Sequence, residues 1–450
     1  MAKSRHIFVC DECGNESLQW QGLCPACGAG DSLKRVTLSK ERAERKSWTA
    51  SASQPRRLSE VVESDEPRLP TGFGELDRVL GGGLVLGSVT LLGGDPGIGK
   101  STLLLQAGEA LSRAVTTLYV SGEESLRQVS LRARRLGVAG EALQLLAETS
   151  IETIIEHAER ARARVLVIDS IQTMFASTVD SSPGTASQVR ETAASLVRFA
   201  KASGVSVLII GHVTKEGLIA GPRILEHMVD TVLYFESDAG SRFRMIRAVK
   251  NRFGAANEVG VFAMTEQGLK EVKNPSAIFL SNHAQPIAGS AVMVAREGSR
   301  PMLIEVQALT DDAQGMNPRR VAVGFEANRL SLLLAVLHRH GGVPSAGRDV
   351  FVNVVGGVRI SETAADLPAI LATVSSARDE PLAGRVVCFG EVGLAGEIRP
   401  VPYGEERLRE AAKHGFQRAI VPAANVPRRP LEGMEVIGVE RLRDALRHAF

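Results

Sequence analysis

Gly94-Asp95-Pro96-Gly97-Ile98-Gly99-Lys100-Ser101, followed by Thr102, is the stretch on which the fold of this chain turns. An apolar run, Val89–Leu92, leads into it, and Ser101–Ala110 reads as a helix leading out. The spacing G-x4-G-K-S between a strand and a helix is that of a phosphate-binding loop. Its glycines let the backbone curl until successive N–H groups point inward at phosphate oxygens, and the helix N-terminus adds partial positive charge. Lys100 is expected to bridge β- and γ-phosphates, and Ser101 to hold Mg²⁺ through its hydroxyl. Gly94 to Thr102 are therefore the candidate ATP-binding residues.

Working outward, the chemistry of hydrolysis needs a second metal-orienting group. Val165-Leu166-Val167-Ile168-Asp169 is an apolar strand that ends in an acid, so Asp169 is expected beside the loop and Mg²⁺. A group that polarises water is also required. Ser121-Gly122-Glu123-Glu124 follows the run Thr117–Val120, and Glu123, ahead of Glu124, is the candidate base. The plainer reading is that both acids only favour the N-terminus of the next helix. His212 ends the run Ile209-Ile210-Gly211-His212, where a γ-phosphate sensor would lie; a buried structural histidine fits as well. Lys250 and Arg252, in Lys250-Asn251-Arg252-Phe253-Gly254, are candidate cations for a neighbouring subunit's γ-phosphate.

Five short runs, Val89–Leu92, Thr117–Val120, Val165–Ile168, Val205–Ile210 and Thr231–Phe235, are nearly all apolar and rich in β-branched residues. Such runs suit central parallel strands covered on both faces, and the segments between them are long enough for helices. The fold class expected is α/β over residues 58–273. From 274 to 450 the pattern restarts as a separate α+β domain, with runs at Ala291–Ala295, Leu303–Gln307, Val350–Val355 and Arg385–Phe389 and a helix at Arg329–His340. The 450 residues are 44% hydrophobic and 23% charged, which fits a globular protein and leaves no run long enough to span a membrane. A cytoplasmic location is expected. The net charge of +2 decides nothing about nucleic acid.

Four of the five cysteines lie in the first 27 residues, as Cys10-x2-Cys13 and Cys24-x2-Cys27. Two such pairs complete a tetrahedral Zn²⁺ site, so residues 1–30 are expected to be a zinc finger. The metal also substitutes for the core that so small a piece lacks. The fifth, Cys388, sits in Val386-Val387-Cys388-Phe389 and reads as a small buried hydrophobe. Residues 31–57 hold eight basic residues against three acidic ones and read as a flexible basic linker.

Together, the cysteine pairs, the lead-in Leu69-Pro70-Thr71-Gly72-Phe73-Gly74-Glu75-Leu76-Asp77, the phosphate loop and Lys250–Gly254 resemble the RadA (Sms) family of bacterial DNA-repair proteins, over essentially the whole chain. The resemblance implies a RecA-like ATPase and a hexameric ring that binds single-stranded and branched DNA. It further implies ATP-driven branch migration beside a RecA-type recombinase, with Lys250–Gly254 serving in DNA binding and intersubunit sensing. The C-terminal part, through Phe389-Gly390-Glu391-Val392-Gly393-Leu394-Ala395-Gly396-Glu397, is similar to the proteolytic domain of Lon. Aligned on Lon, the serine nucleophile falls at Asp366 and its lysine partner at Glu405, a pair that cannot perform that chemistry. Between Lys273 and Lys413 there is no lysine at all. No proteolysis is expected. The loop Phe175–Ser187 is polar and carries no base-reading pattern, so contact with DNA there would be independent of sequence. The competing reading is an ATP-dependent switch that binds a protein partner without moving DNA.

Overall fold

The computed structural model describes residues 5–10, 16–17, 19–25, 28–30, 33–38, 67–212, 223–237, 242–280, 286–313, 315 and 317–450. Two units are separable, Met1–Trp48 and Thr49–Phe450.

In the first unit, strand Arg5–Cys10 pairs antiparallel with Glu16–Ser17 on one side and Leu33–Leu38 on the other. The second cysteine pair begins a knuckle: the Gly28 N–H donates to the Cys24 carbonyl at 2.8 Å, and Cys24 is buried. Cys13 and Cys27 lie outside the described residues. The sheet corrects the expected boundary at residue 30. Leu33-Lys34-Arg35-Val36-Thr37-Leu38 belongs to the ribbon, because its apolar and β-branched residues suit a strand although its charges read as linker. The rest of 31–57 lies outside the described residues.

The second unit holds two large sheets with separate cores. The first has nine strands: β1 Val89–Gly94, β2 Thr117–Ser121, β3 Gln144–Ala147, β4 Val165–Asp169, β5 Ser206–His212, β6 Thr231–Glu236, β7 Phe243–Asn251, β8 Val259–Thr265 and β9 Gly268–Glu271. Their order is β9-β8-β7-β6-β1-β5-β4-β2-β3. The six strands from β6 to β3 are mutually parallel, and β7, β8 and β9 add on antiparallel. Helices α1 Gly74–Leu80, α2 Lys100–Ser112 and α3 Leu126–Arg135 bury Val79, Leu103 and Val129 against one face. Helices α4 Ile151–Arg160 and α5 Ala186–Ser203 bury Ile154 and Leu196 against the other. Apolar cover on both faces is why the central runs lack polar alternation.

The second sheet has seven strands: β10 Ser290–Glu297, β11 Arg300–Asp312, β12 Arg320–Val323, β13 Arg348–Val354, β14 Val386–Cys388, β15 Arg418–Pro422 and β16 Glu435–Val439. The order is β12-β13-β11-β10-β14-β15-β16. Helix α6 Ala327–Val336 and helix α7 Asp366–Arg378 pack in its core, and α8 Gly404–Lys413 buries Leu408 there. The hairpin between β10 and β11 grips the first sheet. Arg300 donates to both carboxylate oxygens of Glu75 in α1 (2.9 and 2.7 Å), Arg247 of β7 pairs with Glu297 at 2.5 Å, and the Ser299 N–H donates to Glu258 at 2.8 Å.

Cys388 is 1% exposed, and burial pushes its thiol far above the ordinary cysteine range. Alkylation by iodoacetamide at Cys388 is therefore expected only after unfolding, as mass spectrometry of residue 388 would show. Rapid labelling of the native protein would mean that the β14 core opens readily.

Candidate nucleotide site

Parallel register fixes where the polar groups meet. His212 of β5 stands opposite Gly94 of β1, and Ser121 of β2 opposite Asp169 of β4. The apolar strands thus end at one edge, and their last residues carry the chemistry, as expected at a topological switch point. Gly94, Gly97 and Gly99 hold φ of 148°, 75° and 120°, so the loop after β1 needs glycine at each. The loop turns directly into α2, whose first residue is Lys100.

Lys100 is 3% exposed, and its Nζ donates to the carbonyls of Gly94 and Asp95, both at 2.8 Å. Burial lowers its pKa to about 8, against the opposing pull of Asp169, Asp95 and Glu123. Asp95, Pro96 and Gly97 are exposed on the rim, Ile98 is buried beneath it, and Thr102 is half-buried on α2. The Ser101 hydroxyl donates to Asp169 Oδ1 at 3.0 Å. A hydroxyl and a carboxylate at one spot form a hard-oxygen donor set, which suits Mg²⁺.

Glu123 and Glu124 have different surroundings. Glu124 is taken by Arg132 of α3, 2.8 Å away. Glu123 Oε1 accepts the Ser170 hydroxyl at 2.5 Å and lies 3.4 Å from His212 Nε2. The His212 hydrogen bond, opposed by burial and aided by Ser170, lowers its pKa to about 2. Glu123 is thus an ionised acceptor beside Asp169. The His212 carbonyl accepts from Gln172 Nε2 at 3.3 Å.

Two residues were hidden in the sequence. Tyr119 lies inside the apolar run of β2, is fully buried, and donates its hydroxyl to Asp169 Oδ2. Burial, then the Asp169 charge, pushes its pKa well above the usual tyrosine range, so it remains a donor. Arg132, on the charged face of α3, comes within 3.6 Å of the same oxygen. A tyrosine between Leu118 and Val120, two residues before Ser121, was the available signal for Tyr119. Arg132 gave none.

The structure separates Lys250 from Arg252. Lys250 Nζ donates to the carbonyls of Glu226, His227 and Val229 at 2.7, 3.5 and 2.8 Å. Arg252 has a side chain 60% exposed and reaches Asp230 only at 3.5 Å. Neither joins Lys100. Asn251 pairs with Thr231, which stands opposite Thr90 at the start of β1, so Arg252 sits at the other end of the parallel strands. Four residues of strand, about 13 Å, separate those two edges. In the loop 175–187, Gln188 Nε2 ties the carbonyls of Val179 and Ser181 from within, each at 2.8 Å, while Asp180, Ser182 and Pro183 lie outward.

At the Lon-like cleft, Asp366 is 1% exposed and held by Arg329, with Nε to Oδ1 at 2.9 Å, and by the Val392 N–H at 3.0 Å. Glu405 is exposed and pairs with Arg409. Lys413 is exposed beside Glu410.

Glu123→Gln is expected to keep nucleotide affinity and lose about 10²- to 10⁴-fold in turnover. Lys100→Ala should lose affinity itself. Fluorescent-nucleotide titration and phosphate release separate the two, and undiminished turnover in Glu123→Gln would reassign the base.

The chain is similar to known proteins both in parts and as a whole. Residues 52–217 match the AAA domain family model, 8–35 the rubredoxin metal binding domain, and 327–425 subunit ChlI of Mg-chelatase. The DNA repair protein RadA of Escherichia coli K12 is 57% identical over 99% of both chains. That of Pseudomonas aeruginosa is 56% identical over 100% of both, and that of Bacillus subtilis 48% over 99% of both. A KaiC-like protein from Pyrococcus horikoshii OT3 aligns at 19% identity and TM-score 0.39, covering 46% of this chain and 99% of that one. A RecA-like P-loop ATPase domain, an N-terminal zinc ribbon and a Lon-like C-terminal region run through one chain, and with this identity end to end the chain belongs to the RadA family of DNA repair proteins.

Proposed function

We propose that the chain is a DNA-dependent ATPase that assembles as a ring, most simply a hexamer, and moves along single-stranded DNA to drive branch migration of recombination intermediates. The observation that carries this reading is the placement of Arg252. It is exposed at the sheet edge opposite Lys100, so it cannot serve the phosphate loop of its own chain. An exposed arginine so placed suits the loop of a neighbour, where it would stabilise charge developing on the γ-phosphate. Lys250 then acts in cis, holding the segment behind that arginine.

Within one chain, Lys100 neutralises phosphate charge and Glu123 orients the attacking water once His212 and Ser170 release it. Mg²⁺, held by Ser101 and Asp169, would supply charge neutralisation between the β- and γ-phosphates. Zn²⁺ would sit on Cys10, Cys13, Cys24 and Cys27 and stabilise the ribbon. Single-stranded and branched DNA are the proposed substrates, met through backbone contacts, with a RecA-type recombinase as partner. The relatives' shared description as DNA repair proteins supports DNA rather than a protein-directed switch. Proteolysis is not part of the reading: a carboxylate already gripped by an arginine is no nucleophile, and Lys413 lies on the surface. Among the described residues no helix is long and apolar enough to cross a membrane, which accords with work on DNA in the cytoplasm.

Arg252→Ala is expected to bind nucleotide normally while losing about 10³-fold in turnover. Mixing it with Lys100→Ala should restore part of the ATPase, since some interfaces then pair an intact loop with an intact arginine. No recovery, together with lost nucleotide affinity in Arg252→Ala, would place that arginine in cis. Wild-type turnover that ignores single-stranded DNA, with no movement on a forked substrate, would favour the protein-directed switch.

A further inference from the structure

The two oxygens of the Asp169 carboxylate are not equivalent. Oδ1 faces the Ser101 hydroxyl at 3.0 Å, on the side where the phosphate loop enters α2. Oδ2 faces away, into the space between β2 and α3, and accepts the hydroxyl of Tyr119. Arg132 stands behind this contact, with Nη2 3.4 Å from the Tyr119 oxygen and 3.6 Å from Oδ2. The same Nη2 lies 2.8 Å from Glu124, the neighbour in sequence of Glu123. The Asp169, Tyr119 and Arg132 contact is enclosed. Tyr119 is fully buried, Asp169 is 5% exposed, and the Arg132 side chain is 15% exposed.

A lone carboxylate can rotate about its Cβ–Cγ bond and offer a metal either oxygen or both. Fixing Oδ2 from behind fixes the plane and leaves Oδ1 as the oxygen presented to the front. Groups that orient a metal-holding carboxylate in this way affect metal affinity nearly as strongly as the ligands do. We propose that Tyr119 and Arg132 are positioning residues for the divalent cation: they hold Asp169 so that one oxygen, beside Ser101, faces the metal of the bound nucleotide. Arg132 has a second consequence. Through Glu124 it ties the metal-facing carboxylate to the segment just before α3, and so to the backbone that carries Glu123. This inference rests on the reading of Ser101 and Asp169 as the residues that hold Mg²⁺.

The test uses the full chain and a fluorescent ADP analogue titrated with and without Mg²⁺. Tyr119→Phe keeps the ring in its cavity and removes only the hydroxyl. It is expected to bind the analogue normally without Mg²⁺, to need about 10-fold more Mg²⁺ for half-maximal binding, and to regain turnover when Mg²⁺ is raised. Arg132→Gln should show the same shift, and Arg132→Lys should recover part of it. Ser101→Ala and Asp169→Asn, measured alongside, report on the underlying reading. If those two leave the Mg²⁺ requirement unchanged, the metal assignment fails. If they shift it while Tyr119→Phe and Arg132→Gln do not, the metal assignment stands and the positioning proposal is overturned. Loss of Mg²⁺-free binding in a Tyr119→Phe protein of unchanged melting temperature would also overturn it, since the tyrosine would then shape the nucleotide pocket itself.

Discussion

One ladder of parallel hydrogen bonds governs the site. Because β1, β5, β4 and β2 are neighbours in register, their ends cannot shift singly: moving Asp169 relative to Gly94 would break pairing along the whole of β5. Neighbouring strands lie about 4.8 Å apart, so four consecutive ends span roughly the width of a polyphosphate and its metal. The chemistry needs charges held still within a few ångströms, and a sheet covered on both faces provides this more rigidly than loops can. The cost is that most residues below those ends must be apolar, with small buried hydroxyls such as Thr90 among them. Tyr119 is the exception that reaches the site, its single polar atom landing on Asp169.

That constraint explains what the sequence made legible. Val89, Val165 and Val207 sit in strands buried on both sides, so their runs are continuous and stand out. β3 and β7 do not. Gln144 and Ala147 are exposed at the ends of β3, at the sheet edge, and β7 mixes Arg244, Arg247 and Lys250 with Ile246 and Ala248. Half-exposed strands lose the simple apolar signal. Lys100, Ser101 and Asp169 could be read because spacing along the chain encodes them. Tyr119 and Arg132 reach Asp169 only across strands and through a helix, and no spacing records that. The choice between Glu123 and Glu124 was likewise open until Arg132 was seen to occupy the second.

The same logic separates Lys250 from Arg252. They are two residues apart, and as a pair of cations they look equivalent. In β7 and the turn beyond, their surroundings differ. Lys250 finds three carbonyls within reach and becomes internal cement, whereas Arg252 finds one aspartate at 3.5 Å and stays exposed. Asp230, the weak partner, already takes the Lys201 ammonium and the Val89 N–H. Its charge is therefore largely spent, and little holds Arg252 back. Behind this strand the β10–β11 hairpin grips Arg247, Glu258 and Glu75, so the turn carrying Arg252 is braced from the Lon-like side as well.

That bracing gives the Lon-like region a physical role beside the ATPase sheet. A buried carboxylate beside a guanidinium is costly to bring out of water, and removing either partner typically costs 3–5 kcal/mol. Asp366, Arg329 and the Val392 N–H form such a set at the start of α7. Burial raises the Asp366 pKa, and Arg329 works against that rise. The arrangement cross-links helices α6 and α7 to the short strand that holds Val392. Arg407 does the same at α8, fully enclosed, with Glu362 and the carbonyls of Val294 and Pro402 as partners. Val294 lies on β10, the strand that ends in the hairpin gripping the ATPase sheet. Arg407 on Val294 and Glu297 on Arg247 thus give one strand, β10, polar ties to both α8 and the strand that leads to Arg252.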